Sequence, residues 1–266
     1  MKKKHRKIPS TVYLIFVLII MYIPILVTIF YSFNESKLSS VWGGFSLKWY
    51  QTLFADHDIW EALGNTLILA AVSCALSIVI GTLGAYGMSK LKGKRIEKFN
   101  STITYLSRLP IMIPEIILGM VFLAVFSFMG LPFGMLTLII AHTSFCIPYI
   151  FIQVHSRLIG MDKSLEEAAK DLGASPLRAF FDITLPNLLP AIASGTIIAF
   201  AMSIDDVVIS IFTTGPTVNL LPIKIYTRVK TGVTPEINAL AALMFLFTII
   251  MVVIADTIAR KGEKRR

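Results

Sequence analysis

The chain has 266 residues, of which 55% are hydrophobic and 15% are charged, and its mean hydropathy is +0.75. Soluble domains carry about 25% charged residues, so this composition excludes a soluble globule and predicts a membrane protein. The formal net charge of +9 would point to a nucleic-acid partner in a soluble protein, which makes the positions of the basic residues decisive.

Six stretches are long enough, at roughly 20 apolar residues, to cross the hydrocarbon core. They cover residues 11–33, 65–88, 105–128, 135–154, 188–212 and 239–259. The first follows a basic N-terminus, but it is too long for a signal peptide, contains Pro24 and lacks a small-residue cleavage site. We therefore predict an all-α membrane protein with six transmembrane helices.

The basic residues indicate how these spans are oriented. With the N-terminus inside, all but five of the 25 Lys and Arg residues fall on the cytosolic side. The exceptions are Lys37, Lys48, Lys224, Arg228 and Lys230. By the positive-inside rule both termini are cytoplasmic, and topology explains the net charge without a nucleic-acid partner.

The sequence contains no motif for a metal, a cofactor or a nucleotide. Cys74 and Cys146 lie within apolar runs and the four histidines are scattered, so neither a metal site nor a disulfide framework is predicted. The Gly93-Lys94 pair is followed by Arg95 instead of Ser or Thr, which excludes a P-loop. We expect no cofactor in this chain, and any ATP must be bound by another subunit.

The two segments predicted to lie outside the membrane are residues 34–64 and 213–238. The first is rich in aromatic residues, namely Trp42, Trp49, Tyr50 and Trp60. These form either an interfacial aromatic belt or a docking surface for an external partner, and the sequence leaves both open.

The cytoplasmic loop between the fourth and fifth spans, residues 155–187, has the clearest signals for where helices begin and end. Ser164 is placed to cap a helix, and Glu167 three residues later completes a capping box. An apolar stripe follows at helical spacing, formed by Leu165, Ala168, Ala169 and Leu172. Gly173 suits the left-handed residue that ends such a helix.

A second short amphipathic helix is predicted directly after this turn. Ser175 is its cap and Pro176 its first residue. Its apolar face consists of Leu177, Phe180 and Phe181, and Leu185-Pro186 is expected to end it. The loop is thus predicted to be a helical hairpin.

A helical hairpin of this kind could have three uses. A DNA-reading helix-turn-helix is excluded because the loop has five acidic residues against four basic ones. A hairpin folded back on the membrane surface is an alternative. The small side chains at Ala168, Ala169 and Gly173 leave a shallow surface, and this favours the docking of a partner.

The same loop contains a spaced motif: Glu167-Ala168-Ala169, Gly173 after three more residues, and Ile183-x-Leu185-Pro186 after nine. This motif resembles the EAA motif of binding-protein-dependent ABC importer permeases. The resemblance implies a type I ABC importer permease fold, with a transmembrane core over residues 65–256 between an N-terminal region, 1–64, and a basic tail, 257–266. It also implies that the chain couples to a cytosolic ATPase through Glu167, Ala168, Ala169, Gly173, Leu185 and Pro186.

Segments around the motif, including HTSFCIPYIF, FAMSIDDVVIS and LPIKIYTRVKTGV, resemble the second permease subunit of spermidine/putrescine importers. The resemblance implies a polyamine transport subunit, not an enzyme, in the bacterial cytoplasmic membrane. Its partners would be a second permease, an ATPase dimer and an external solute-binding protein. Permeases for thiamine, iron, phosphonate or sulfate share the EAA loop, so another small solute is the alternative.

Ionisable side chains within a membrane span are costly and usually face a cavity or another helix. The candidates are Glu115, Asp205, Asp206 and Asp256. Asp256 lies one turn from Arg260 near the cytosolic end and is interpreted as interfacial.

Glu115 lies roughly 15 Å into its span at 1.5 Å per residue. It follows Pro110 and Pro114, whose missing N–H groups indicate a bent helix beside a polar pathway. Pairing of Glu115 with His142 or Arg108 is the alternative interpretation.

Asp205 and Asp206 are adjacent, so on a helix their side chains point about 100° apart. We expect one of them to line the substrate pathway and the other to be held by helix contacts. Carboxylates on this route would attract the ammonium groups of a polyamine. The polar patch of His142, Thr143 and Ser144 is instead expected to form hydrogen bonds between helices.

Two other classes of membrane protein are alternatives to a permease. An intramembrane protease would need facing carboxylates, but Asp205 and Asp256, the plausible pair, are predicted at very different depths. A self-assembled channel would have no need of the docking hairpin. Neither class fits the sequence as well as a permease.

Overall fold

The computed structural model describes residues 10–37, 41–91, 94–162, 164–232 and 234–263. Within these ranges the chain is helical, with one isolated β-bridge between Asn34 and Phe45. The helices are α1 Ser10–Tyr31, α2 Lys48–Ala55, α3 His57–Lys90, α4 Lys94–Met112, α5 Glu115–Phe128, α6 Met135–Ile159, α7 Ser164–Asp171, α8 Pro176–Ala179, α9 Leu185–Asp205, α10 Val208–Thr213, α11 Leu221–Thr231 and α12 Pro235–Glu263. A π-helical turn, Phe180–Thr184, joins α8 to α9. The prediction of an all-α protein is confirmed.

Long apolar helices dominate the described residues. Four have the length and composition to cross a membrane, namely Thr11–Tyr31, His57–Lys90, Met135–Ile159 and Pro176–Asp205. A fifth candidate is the pair Thr102–Met112 and Glu115–Phe128, and the sixth predicted span falls in α12, whose described apolar part is the shorter Pro235–Ile250. Six spans and two cytoplasmic termini therefore stay predictions. The basic residues 1–9 and 264–266, and the side chains of Asp256 and Arg260, lie outside what is described.

The third predicted span, residues 105–128, is broken into two helices. α4 ends at Met112 and α5 begins at Glu115, with Pro114 extended between them at ψ 132°. Pro114 has no N–H to donate and disfavours helical backbone at Ile113, so the first helix stops there. The bend predicted at the prolines is present, and at 104° it is a full break.

The fifth predicted span, residues 188–212, is also broken, which corrects the expectation of one helix. α9 ends at Asp205, Asp206 is extended at ψ 121°, and α10 begins at Val208. The Asp206 carboxylate accepts hydrogen bonds from the N–H groups of Ile209 and Ser210, at 3.2 and 2.7 Å. A side-chain acceptor placed before these N–H groups favours a new helix start over continuation of the old helix.

The chain divides into two compact units, residues 1–59 with 225–256, and residues 60–224 with 257–266. In the first unit, Trp49 is buried and its Nε1–H donates to the Asn34 carbonyl at 2.7 Å. Because it is buried, Trp49 contributes neither to an interfacial aromatic belt nor to a docking surface for an external partner. Trp42 is 43% exposed and stacks on Phe30 with ring centroids 4.5 Å apart.

An ion-pair cluster in the first unit fastens α11 to its neighbours. The Arg228 guanidinium lies 2.8 Å from an Asp56 carboxylate oxygen and 2.7 Å from one of Glu236. Partial burial opposes ionisation of Asp56, but the hydrogen bond and charge of Arg228 outweigh it and lower the pKa of Asp56. The single guanidinium group of Arg228 therefore pairs with both carboxylates.

In the second unit, α3 presents small side chains to α6 at four-residue spacing. Ser77 donates to the Thr143 carbonyl at 3.1 Å, and a Cβ on Gly81 would lie 3.2 Å from the backbone nitrogen of Phe151. Small residues in this pattern let membrane helices approach closely and pair polar groups in the absence of water.

α6 and α9 also cross closely in this unit. A Cβ on Gly195 would lie 2.8 Å from Ile150 Cα, and Cys146 Sγ donates to the Ala199 carbonyl at 3.5 Å. The two short helices after the breaks also pack together, since α10 lies on α5 with Phe212 against Gly119. These contacts fix the positions of both breaks.

The α6–α9 crossing predicts the effect of adding one methyl group. Gly195→Ala places a Cβ against backbone atoms, and such overpacking typically costs about 1–3 kcal/mol. We expect a lower midpoint of thermal unfolding for the variant in detergent. Gly87→Ala in α3 is the matched control, because a Cβ there meets nothing within 4 Å; equal midpoints for the two variants would contradict the crossing.

Candidate functional site

The cytoplasmic hairpin begins with α7, and its cap differs from the prediction. Ser164 is already helical, and its N–H donates to an Asp162 carboxylate oxygen at 2.9 Å. Hydrogen bonds from both the backbone N–H and the side chain of Ser164 lower the pKa of Asp162. The capping role predicted for Ser164 with Glu167 thus falls to Asp162, a residue that sits two positions earlier.

The end of α7 follows the prediction. Gly173 has a φ of +87°, a left-handed conformation that costs glycine nothing. The N–H of Gly173 bonds the Lys170 carbonyl at 2.9 Å, and the N–H of Ala174 bonds the Ala169 carbonyl at 3.0 Å. This pair of bonds is a Schellman motif, and it sets the angle at which the chain turns into the next helix.

The two faces of α7 have different environments. The positions of the EAA motif are on the outer side, where Glu167 and Ala168 are exposed and Ala169 is half-buried. The apolar ends of the predicted stripe are exposed too, with Leu165 at 49% and Leu172 at 90%. The predicted docking face is therefore turned away from the chain's own core and is open to a partner.

The second half of the hairpin begins as predicted but does not end as predicted. Ser175 accepts the N–H of Arg178 at 3.3 Å and Pro176 is the first helical residue. The helix then continues through the π-helical turn into α9, so Leu185 and Pro186 do not end it.

The π-helical turn explains this continuation. Leu185 N–H bonds the carbonyl of Phe180, five residues earlier. The wider turn provides room for Pro186, whose ring would clash with the preceding turn of a regular α-helix and which has no N–H to donate. A single helix of 30 residues, Pro176–Asp205, results.

At the far end of this helix lie the acidic residues. A cavity of about 50 Å³ is lined by Pro110, Ile111, Ile113, Glu115, Leu118, Phe145, Tyr149, Met202, Asp206 and Ile209. The structure thus brings Glu115 and Asp206 to one cavity. Asp205 is exposed and is not part of the lining.

Asp206 is held by a buried hydrogen-bond network that the sequence did not predict. Its Oδ2 accepts the Ser210 hydroxyl at 2.7 Å and lies 3.5 Å from His142 Nε2. Because Ser210 gives its hydroxyl hydrogen to Asp206, His142 Nε2, at 3.1 Å from Ser210 Oγ, is the donor to it. His142 Nδ1 lies 2.8 Å from Ser203 Oγ, so this buried His has interhelical partners on both ring nitrogens, as expected. Ser144, from the same predicted patch, instead donates to the Ile140 carbonyl of its own helix at 2.7 Å.

Glu115 has a different environment from Asp206. It is exposed at the start of α5, and in the described part of the chain it makes no hydrogen bond or ion pair. His142, one of the two partners considered for it, is occupied by Asp206, Ser203 and Ser210. The cavity therefore holds one immobilised carboxylate and one free carboxylate.

The sequence of residues 77–266 matches the family described as the binding-protein-dependent transport system inner membrane component. The chain belongs to this family. It is an inner-membrane subunit of a transport system that depends on a binding protein, so the predicted membrane location is confirmed.

Two relatives of this permease come from Escherichia coli (strain K12). The spermidine/putrescine transport system permease protein PotC is 38% identical over 244 residues, which cover 92% of this chain and 91% of PotC. The putrescine transport system permease protein PotI is 39% identical over 254 residues, which cover 92% of this chain and 89% of PotI.

Solved structures share the fold at low identity. A bacterial ABC transporter that imports the acidic polysaccharide alginate matches with a TM-score of 0.72 and 17% identity, over 95% of this chain and 94% of that chain. The inward-facing MetNI methionine ABC transporter matches with a TM-score of 0.64 and 19% identity, over 80% and 97%. The predicted ABC importer permease fold is confirmed.

The different environments of the two adjacent aspartates predict different effects on stability. Asp206→Ala leaves the donors of Ile209 and Ser210 buried without their acceptor, and each such group costs about 1–3 kcal/mol. Asp205→Ala removes an exposed side chain, and the expected change is within about 0.5 kcal/mol. We expect a clearly lower midpoint of thermal unfolding in detergent for Asp206→Ala only, and equal losses in both variants would argue against the network.

Proposed function

We propose that this permease is one of two transmembrane subunits of an ATP-driven importer of polyamines, with substrates of the spermidine and putrescine class. Its similarity to PotC and PotI extends over nearly the whole chain. The structural observation that carries the substrate class is the cavity shared by Glu115 and Asp206, because an acidic site within a membrane span suits a cation.

The lining of the cavity matches the chemistry of an ammonium group. Glu115 supplies a carboxylate without a competing partner, and the rings of Phe145 and Tyr149 line the same space. Ammonium groups interact favourably with carboxylates and with aromatic faces. A volume of about 50 Å³ accommodates one such group at a time, so a flexible polyamine would pass through it in steps and would not be held as a whole.

The hairpin supplies the link to ATP hydrolysis in this proposal. The outer face of α7, with Glu167 and Ala168, would sit in a groove of a cytosolic ATPase, and a second permease and an external solute-binding protein would complete the importer. The helix Pro176–Asp205 begins in the hairpin and ends beside the cavity. At 1.5 Å per residue it is about 45 Å long, so a tilt imposed at one end would displace Asp205 and Asp206 at the other.

Transport measurements test the substrate class. In a reconstituted complex of permeases, ATPase and binding protein, we expect ATP-dependent uptake of labelled spermidine that putrescine inhibits and thiamine does not. Inhibition by thiamine, iron or phosphonate alone would point to another importer of the family, and uptake without ATP would point to a channel.

Charge-neutralised variants test the pathway in the same vesicles. Glu115→Gln, Asp205→Asn and Asp206→Asn are compared one at a time. We expect Glu115→Gln to lower spermidine uptake by about tenfold, equivalent to about 1.4 kcal/mol, because its carboxylate is free to meet the substrate. Unchanged uptake in all three variants would overturn the proposed acidic pathway.

Gly173 tests the role of the hairpin. Its left-handed backbone is strained for a β-branched residue and tolerated by Asn, while the space around it is open. Gly173→Val is therefore expected to distort the turn after α7 and lower uptake per ATP hydrolysed, and Gly173→Asn to retain most of it. Equal coupling in both variants would show that the turn geometry is not needed.

A further inference from the structure

One carboxylate of the hairpin faces inward and lies outside the EAA motif. Glu166 is only 5% exposed, whereas the adjacent Glu167 is exposed. The Glu166 carboxylate forms an ion pair with Lys90, the last residue of α3. It also accepts the Thr184 hydroxyl, in the π-helical turn, at 3.4 Å.

Aromatic rings pack beside this ion pair. Lys90 Nζ lies 4.9 Å from the centroid of the Tyr86 ring, and that ring contacts Phe180 with centroids 4.5 Å apart. Lys90 and Tyr86 belong to α3, Glu166 to α7, and Phe180 and Thr184 to the π-helical turn. We refer to these five residues as the Glu166 junction, where three elements meet.

The charge state of the junction is well defined. Burial opposes ionisation of Glu166, but the hydrogen bonds and charges of Lys90 and Lys170 outweigh burial and lower its pKa. Its stabilising effect is therefore present at neutral pH and is lost only as the pH falls through this lowered value. Lys170, whose Nζ lies 2.9 Å from Glu166 Oε1, is on α7 itself, one helical turn after Glu166.

We propose that Glu166 is the positioning residue that transmits movement of the docking helix α7 to the rest of the permease. The proposal rests on the proposed ATP-driven function. The Lys90 ion pair would carry the movement to α3, which is 76 residues away in sequence, and the Thr184 contact would carry it to the helix Pro176–Asp205. α7 also packs against α8 and the π-helical turn, and the Lys90 ion pair extends this connection to α3.

The test uses the reconstituted complex and measures uptake and ATP hydrolysis together. Glu166→Gln and Lys90→Met break the link between elements, and Lys170→Met, which removes a partner of Glu166 on the same helix, is the matched control. We expect the first two to keep the ATPase bound and hydrolysing while uptake per ATP falls about tenfold, equivalent to about 1.4 kcal/mol of lost coupling. Lys170→Met is expected to keep the wild-type ratio.

Glu167→Gln separates docking from transmission, because this side chain is on the outer face. It is expected to weaken retention of the ATPase during purification, whereas Glu166→Gln and Lys90→Met leave the ATPase bound. If Glu166→Gln does not assemble, Lys90→Met decides the result, since the Lys90 side chain is 41% exposed and its loss is tolerated more easily.

The two proposals fail in different ways. Absence of ATP-dependent polyamine uptake in the wild-type complex overturns the proposed function. Uptake in the wild type together with an unchanged ratio in Lys90→Met overturns the junction, and so does an equal loss of coupling in Lys170→Met, which would indicate a structural effect on α7 alone.

Discussion

The constraint on which this structure depends is that backbone N–H and C=O groups in hydrocarbon must find partners within the protein. Two of the predicted spans are broken, at Pro114 and at Asp206. Each break creates helix ends whose backbone groups have no partner within the helix. In the second case the carboxylate of Asp206 supplies acceptors for buried N–H groups in the first turn of α10, which have no partner within the helix. The breaks are tolerated because α5 and α10 pack against each other, and the cavity with Glu115 lies where the broken ends meet.

The same constraint explains the difference between the two cavity carboxylates. Asp206 is committed to the backbone and to His142 and Ser210, so moving it would uncover N–H groups. Glu115 stands at the start of α5, where the helix dipole stabilises its charge without a bond that fixes the side chain. One carboxylate thus maintains the break and the other is free to follow a passing cation, which suits a route that must release what it attracts.

The sequence predicted the helical class, the bend near Pro114 and the turn at Gly173, because these depend on local composition, on a missing N–H and on a left-handed backbone. It failed at Leu185-Pro186, since a proline in a helical pattern usually marks a helix end, and the sequence did not show that a π-helical turn would accommodate Pro186. It also missed the burial of Glu166. The approach of Lys90 is a tertiary contact between residues 76 positions apart, and local spacing cannot predict such a contact.

The basic net charge and the acidic cavity are consistent once position is considered. Most Lys and Arg residues lie in the segments predicted to flank the spans, where they would set orientation, and water and salt there screen their charges over a Debye length of about 8 Å. The cavity lies in surroundings of lower dielectric, where Glu115 acts over a longer distance than the same charge in water. A cation at this depth therefore responds mainly to the few carboxylates near it, and the sign of the whole chain says little about the charge of what it transports.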